Sequence, residues 1–235
     1  LETIEQRGYS GHDVFRDWLD LMLYALQQRD DPYLEIVNRY DNDRDKGERE
    51  IDYFTQGFGQ LQQGMAATDA DLLGVVYESY GMASDAFGQY FTPHNVCEAT
   101  TEMQMGVAGK PDTDDRMTIG DPACGSGRML VMAAQRQPDA VFVGQDKDAT
   151  CARMAALNLC LFNVDGYVVH GDSLRVEQRR VWQTAYSAMG GSVRERDPDE
   201  VEIASAALEA AAEQNEDSDR EASELQMSQA SVTEF

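Results

Sequence analysis

Three short β-prone runs, separated by helical stretches and each leading into an acid, occupy residues 117–173 and constrain the fold more than any other feature. Met117-Thr118-Ile119-Gly120-Asp121, Ala140-Val141-Phe142-Val143-Gly144 and Tyr167-Val168-Val169-His170 read as strands. Between them, residues 129–136 and 149–162 read as helices, with Met154, Leu157 and Leu161 on one face of the second. Strand, helix, strand, helix, strand is the alternation of a parallel α/β sheet. The first run ends in Asp121, the second in Gly144-Gln145-Asp146, the third in Gly171-Asp172-Ser173. Ligands of an open α/β sheet sit outside the carboxyl ends of the strands, so this spacing gathers Asp121, Asp146 and Asp172 around one small-molecule site.

The flanking segments have a different character. Residues 1–85 read as a helical N-terminal domain. Val14, Phe15, Trp18, Leu19, Met22, Ala25 and Leu26 recur at helical spacing. Thr68, followed by Asp69 and Asp71, is expected to cap a helix whose stripe is Leu72, Leu73, Val76, Tyr77 and Tyr80, with Gly81 as its stop. Residues 86–190 form the α/β domain. Residues 191–235 carry thirteen acids and three arginines and are expected to be a disordered acidic tail, with a possible alanine-rich helix over 204–212.

The 235 residues carry a formal charge of −24, with only three lysines, Lys46, Lys110 and Lys147. Self-repulsion of that size opposes compaction at low salt, and screening at molar salt, over about 3 Å, removes it. The scarcity of lysine along the whole length favours a halophile-type acidic surface suited to a salty cytoplasm over a merely acidic tail. No apolar run is long enough for a membrane span, and the N-terminus lacks a secretory pattern. Cys97, Cys124, Cys151 and Cys160 form no C-x-x-C pair and have no His cluster beside them, which argues against zinc. Free thiols without a framework suit a reducing, cytoplasmic compartment.

The chemistry sits in the turns. Asp121-Pro122-Ala123-Cys124-Gly125-Ser126-Gly127 joins the first strand to its helix. Glycines there let backbone approach a ligand, and the helix N-terminus offers free N–H donors. Alone, such a turn fits a dinucleotide fold as well as a plain tight turn. Asp146, about 20 residues after it, stands where an acid can hold both ribose hydroxyls of an adenosine. Asp148 beside it is a candidate helix cap.

Taken together these segments resemble adenine-N6 DNA methyltransferases, and most of all the modification subunit of type I restriction systems. The run 121–127 resembles the family's motif I. Asp71-Leu72-Leu73-Gly74-Val75-Val76-Tyr77-Glu78 is similar to the helix that precedes its cofactor site. Gly88-Gln89-Tyr90-Phe91-Thr92-Pro93 resembles motif X. The resemblance implies a partial Rossmann-like methyltransferase sheet that binds S-adenosylmethionine. Tyr90, Phe91, Thr92 and Pro93 would lie at its methionine end, Asp121, Pro122, Ala123, Cys124, Gly125, Ser126 and Gly127 would form its cradle, Asp146 would hold the ribose, and Asp172 the adenine amino group. It further implies DNA as substrate, and a specificity or restriction subunit as partner. A nicotinamide enzyme fits less well, because the third glycine of G-x-G-x-x-G is missing.

One departure stands against these matches. The family's catalytic motif IV, Asn/Asp-Pro-Pro-Phe/Tyr after a fourth strand, has no counterpart, since no Pro-Pro occurs in the chain. Asp31-Pro32-Tyr33 lacks the second proline and precedes motif X. No catalytic residue is therefore identified. Residues 175–190 show no β-branched run, so the sheet is expected to stop at three strands, truncated or degenerate after motif III. Arg175, Arg179 and Arg180 read equally as a DNA contact or as solvated arginines on an amphipathic helix. Two functions follow: a methyltransferase that needs a chain supplying the missing half of the fold, or a non-catalytic cofactor-binding or assembly subunit.

Overall fold

The computed structural model describes residues 1–80 and 116–201, and elements are numbered in chain order among these. The N-terminal part is helical: α1 (Glu2–Glu5), α2 (Gly11–Leu26), α3 (Asp30–Val37), α4 (Glu50–Thr68) and α5 (Leu72–Ser79). Then come β1 (Thr118–Asp121), α6 (Arg128–Arg136), β2 (Val141–Asp146), α7 (Ala149–Leu161), β3 (Gly166–His170), β4 (Arg180–Ala185) and β5 (Ser192–Arg196). The fold is α/β, with a partial Rossmann-like methyltransferase sheet.

The sheet order is β1-β2-β3-β4-β5. The first three strands run parallel, with Asp121 level with Gly144 and Asp146 level with His170. Their carboxyl ends therefore meet at one rim. β4 then returns antiparallel along β3, and β5 antiparallel along β4.

This corrects the expectation of three strands. Residues 180–185 make a fourth strand whose buried positions, Val181, Trp182 and Thr184, are interleaved with polar ones. The Arg180 guanidinium lies over the Trp182 ring at 4.8 Å, and Gln183 Nε2 donates to the Tyr167 hydroxyl at 3.0 Å. Arg175, Arg179 and Arg180 share no amphipathic helix: Arg175 ends a short 3-10 turn and Arg180 begins β4. Residues 192–196, expected to begin the acidic tail, form the fifth strand. Its one buried side chain is Val193, and its charges suit an edge. Residues 204–212 lie outside the described residues.

The helices pack on the sheet and on each other as one core. Phe15 and Trp18 of α2, Leu73 and Tyr77 of α5, Leu130 of α6, Leu157 of α7, Phe142, Val168 and Trp182 share a single buried cluster. Ion pairs reinforce the seam. Arg153 of α7 meets Asp20 of α2 at 2.6 Å, and Arg29, just before α3, meets Glu195 of β5 at 2.5 Å. The opposite sheet face carries a small cluster of Val143, Val169, Val181 and Val201. Among the described residues no helix is long and apolar enough to cross a membrane.

The helix boundary near residue 70 also differs from expectation. Thr68 is the last residue of α4, where its hydroxyl donates back to the Gly64 carbonyl at 2.8 Å. Asp69 takes a left-handed conformation and ends that helix, and Asp71 caps α5 by accepting from the Gly74 N–H at 2.8 Å. A carboxylate one residue outside the helix is as good a cap as a threonine hydroxyl, and here it is the one in reach. α5 ends at Ser79, and Gly81 lies outside the described residues.

Candidate functional site

Strand β1 feeds directly into the glycine turn. Asp121 Oδ1 accepts from the Ala123 N–H at 3.1 Å, and the Cys124 N–H donates to the Gln145 carbonyl at 2.9 Å, tying the turn to β2. The Gly127 N–H closes back on the Cys124 carbonyl at 2.8 Å. Gly127 has φ +78°, and a Cβ there would stand 3.1 Å from Ala155 Cβ on α7. Both the left-handed backbone and the close approach of helix α7 require glycine.

Asp146 joins turn and sheet. One carboxylate oxygen accepts from the Gly125 N–H at 2.9 Å, and the other from the Asp148 N–H at 2.8 Å. Asp148 spends its own side chain capping α7 through the Thr150 and Cys151 N–H groups. The two neighbouring acids therefore divide their work, one on the helix and one on the turn. Asp172 stands at the third strand end and accepts from the Leu174 N–H at 3.1 Å, starting a short 3-10 turn.

Burial raises the Asp121 carboxyl above the ordinary carboxylate value, and the negative charge of Asp146 adds to it, against the Ala123 N–H. Burial likewise raises Asp146, against the N–H donors of Asp148 and Gly125. Two carboxylates, partly desolvated and close together, thus stand at one rim as hydrogen-bond acceptors. A ligand offering hydroxyls or an amine would relieve that desolvation.

The other predicted residues fall out as follows. Pro122 and Gly125 are half-buried and Ala123 is exposed. Cys124 is buried with a free thiol that burial pushes well up. Ser126 is fully buried, and its hydroxyl donates to Asp71, so its side chain is committed to the protein. Tyr90, Phe91, Thr92 and Pro93 lie outside the described residues, as does Cys97. The three arginines all have acidic partners: Arg175 with Asp172, Arg179 with Glu177, Arg180 with Glu195.

Asp71, Arg128 and Asn158 were not expected to meet. Asn158, inside an apolar helix, donates to both Asp71 and the Ser126 carbonyl at 2.8 Å. Its polarity at a buried helical position was the one available signal. Elsewhere, a cleft of about 520 Å³ lined by Arg116, Asp139, Phe162, Asp165 and Tyr186 lies at the opposite, amino ends of the parallel strands. No group of His, Cys, Asp or Glu arranged to hold a metal occurs among the described residues.

The profile of the family described as N-6 DNA Methylase matches residues 68–189, just over half of the chain, from the last residue of α4 through β4. The chain belongs to that family. Two curated relatives, both from Methanocaldococcus jannaschii, are similar to it. The type I restriction enzyme MjaVIII methylase subunit is 35% identical over 109 residues, covering 41% of this chain and 19% of that subunit. The MjaVII methylase subunit is 28% identical over 127 residues, covering 49% and 22%. The chain thus spans about a fifth of the length of the two methylase subunits it matches. No solved structure matches it.

Proposed function

We propose that this N-6 DNA methylase chain binds S-adenosylmethionine at the rim of β1, β2 and β3, as the cofactor-holding part of an adenine-N6 DNA methyltransferase of a restriction-modification system. The observation that carries the reading is the bond from the Gly125 N–H to Asp146, which couples the glycine turn to the strand-end acid within one site. The residues fit the group. Asp146 is a desolvated acceptor for a ribose diol, the turn brings backbone to the surface at Gly125, and Asp172 stands one strand further along for an adenine amino group. Bound there, S-adenosylmethionine would supply a methyl group on a sulfonium.

Methyl transfer requires an in-line approach at about 3 Å, so positioning is much of the catalysis. The target adenine must also leave the duplex and stack in a pocket. This chain orients the cofactor end of that geometry. A further polypeptide carrying Asn/Asp-Pro-Pro-Phe/Tyr would hold the base. Among the described strands β1 and β5 are the sheet edges, and β5 is charged, so a completing strand would add beside β1. DNA contact would fall largely to partner subunits, because this chain carries a net charge of −24. The expected compartment is the cytoplasm.

Ultraviolet cross-linking of labelled S-adenosylmethionine followed by peptide mapping tests the site. Label in peptides spanning 90–93, 121–127 or 146–172 supports it, and label confined elsewhere contradicts it. The absence of Pro-Pro favours a second reading, a cofactor-binding or assembly subunit without turnover. A labelled-methyl assay on adenine-rich DNA separates the two. Transfer restored by a partner subunit, and lost in a Gly127 variant, favours the split enzyme, and no transfer with any partner favours the second reading.

A further inference from the structure

Asp71 is almost wholly buried, and four donors converge on its carboxylate. Oδ1 accepts from the Gly74 N–H and from Asn158 Nδ2, both at 2.8 Å. Oδ2 accepts from the Ser126 hydroxyl and from Arg128 Nε at 3.2 Å. A charge taken out of water persists only when paired and fully hydrogen-bonded, and this one is. Three of the four donors make or back the glycine turn. Ser126 and Arg128 flank Gly127, and Asn158 also holds the Ser126 carbonyl. Glu78, seven residues after Asp71 and so on the same face of α5, approaches Arg128 Nη2 at 3.7 Å. One short helix therefore grips a single guanidinium with two acids. Gly74 makes this approach feasible. A Cβ there would overlap Asp71 Oδ2 and stand 2.9 Å from both Arg128 Nη2 and Ser126 Oγ.

We propose that Asp71 is a positioning residue for the glycine turn, holding Ser126 and Arg128 so that the backbone at Gly125 and Gly127 keeps its ligand-ready conformation. The inference rests on the reading of that turn as the cofactor site, but its mechanical part is independent of any ligand. Neither side chain of the turn that Asp71 holds is free to face a ligand, so the network acts through backbone geometry alone. Glu78 is an accessory, since its carboxylate is partly exposed and approaches Arg128 only to 3.7 Å.

Hydrogen exchange on the ligand-free chain, in molar potassium chloride, tests the mechanical part. Asp71→Asn keeps the shape and removes the charge opposite Arg128. It is expected to speed exchange at residues 123–128 by about tenfold while leaving the β4–β5 hairpin within about twofold of wild type. S-adenosylmethionine affinity should fall by about tenfold as well. Ser126→Ala should give a smaller effect of the same pattern, and the double variant should lose no more than Asp71→Asn alone, because both remove one network. Equal acceleration in turn and hairpin, or additive losses in the double variant, would overturn the proposal. If Asp71→Asn does not fold, Ser126→Ala and Glu78→Gln carry the same comparison, and wild-type exchange in the turn of both would overturn it. A wild-type chain that takes up no S-adenosylmethionine would contradict the cofactor reading, while the exchange pattern would still decide the role of Asp71.

Discussion

At the scale of single residues, two kinds of side chain are unusually constrained. Gly127→Ala must force an L-residue into φ +78° and press a methyl against Ala155. Chemical denaturation should report a loss of at least about 1–2 kcal/mol, and an unchanged midpoint would contradict the assigned turn geometry. The buried thiols make a second prediction. Burial pushes Cys160 up to about 11 from an ordinary 9.0, and moves Cys124 and Cys151 in the same direction. A thiol whose folded pKa is raised contributes stability that is complete below its unfolded pKa and lost as pH rises through the folded one. Buried Tyr40 and Tyr77 and half-buried Tyr80, raised mainly by desolvation, act with the same sign from their ordinary 10.0 upward. Unfolding free energy should therefore fall between about pH 9 and 11, by up to about 1.4 kcal/mol per pH unit for each such group, and melting midpoints should drop with it. A midpoint flat across that range would contradict the buried placement of the thiols.

At the scale of elements, the β4–β5 hairpin separates what the sequence shows from what it hides. Val193→Asp places a charge at a position about 1% exposed and should cost about 3 kcal/mol or more by denaturant unfolding. A solvated tail would tolerate the same change without effect. β2 and β3 were legible because their mostly buried residues read as near-continuous apolar runs, as in Val141-Phe142-Val143, and the less buried β1 because it leads into the glycine turn. β4 was hidden because its buried Val181, Trp182 and Thr184 are interrupted by Arg180 and Gln183, whose charge and amide are absorbed by Trp182 and Tyr167. β5 was hidden because an edge strand with one buried valine has the composition of a tail, and its cross-strand pair Arg180–Glu195, at 2.7 Å, joins residues fifteen apart. At the site, the strand-end acids were visible from spacing alone. The Asp71 network was not, because its members lie 55 and 87 residues from Asp71 and meet only in the fold. The cap of α5 moved from Thr68 to Asp71 for a local reason, since α4 runs through Thr68 and ends at Asp69.

At the scale of the whole molecule, charge is the governing quantity. With −24 on 235 residues and three lysines, self-repulsion should dominate stability at low ionic strength. Several ion pairs join distant segments, among them Arg153–Asp20 and Arg29–Glu195 at the helix–sheet seam, so salt weakens some contacts while relieving the larger repulsion. The melting midpoint should therefore rise from low to molar potassium chloride, and a flat or falling midpoint would contradict a halophile-type surface. Matching about a fifth of its relatives' length, this chain holds in that small space the glycine turn, its acid and the network behind them. Whether these form a cofactor site is the central claim, and calorimetric titration of S-adenosylmethionine at molar potassium chloride tests it most directly. Saturable binding to the wild-type chain, weakened roughly 10- to 150-fold in Asp146→Ala as befits a lost carboxylate–diol contact of about 1.5–3 kcal/mol, is the expected result. No binding, or an affinity unchanged in Asp146→Ala, would contradict it.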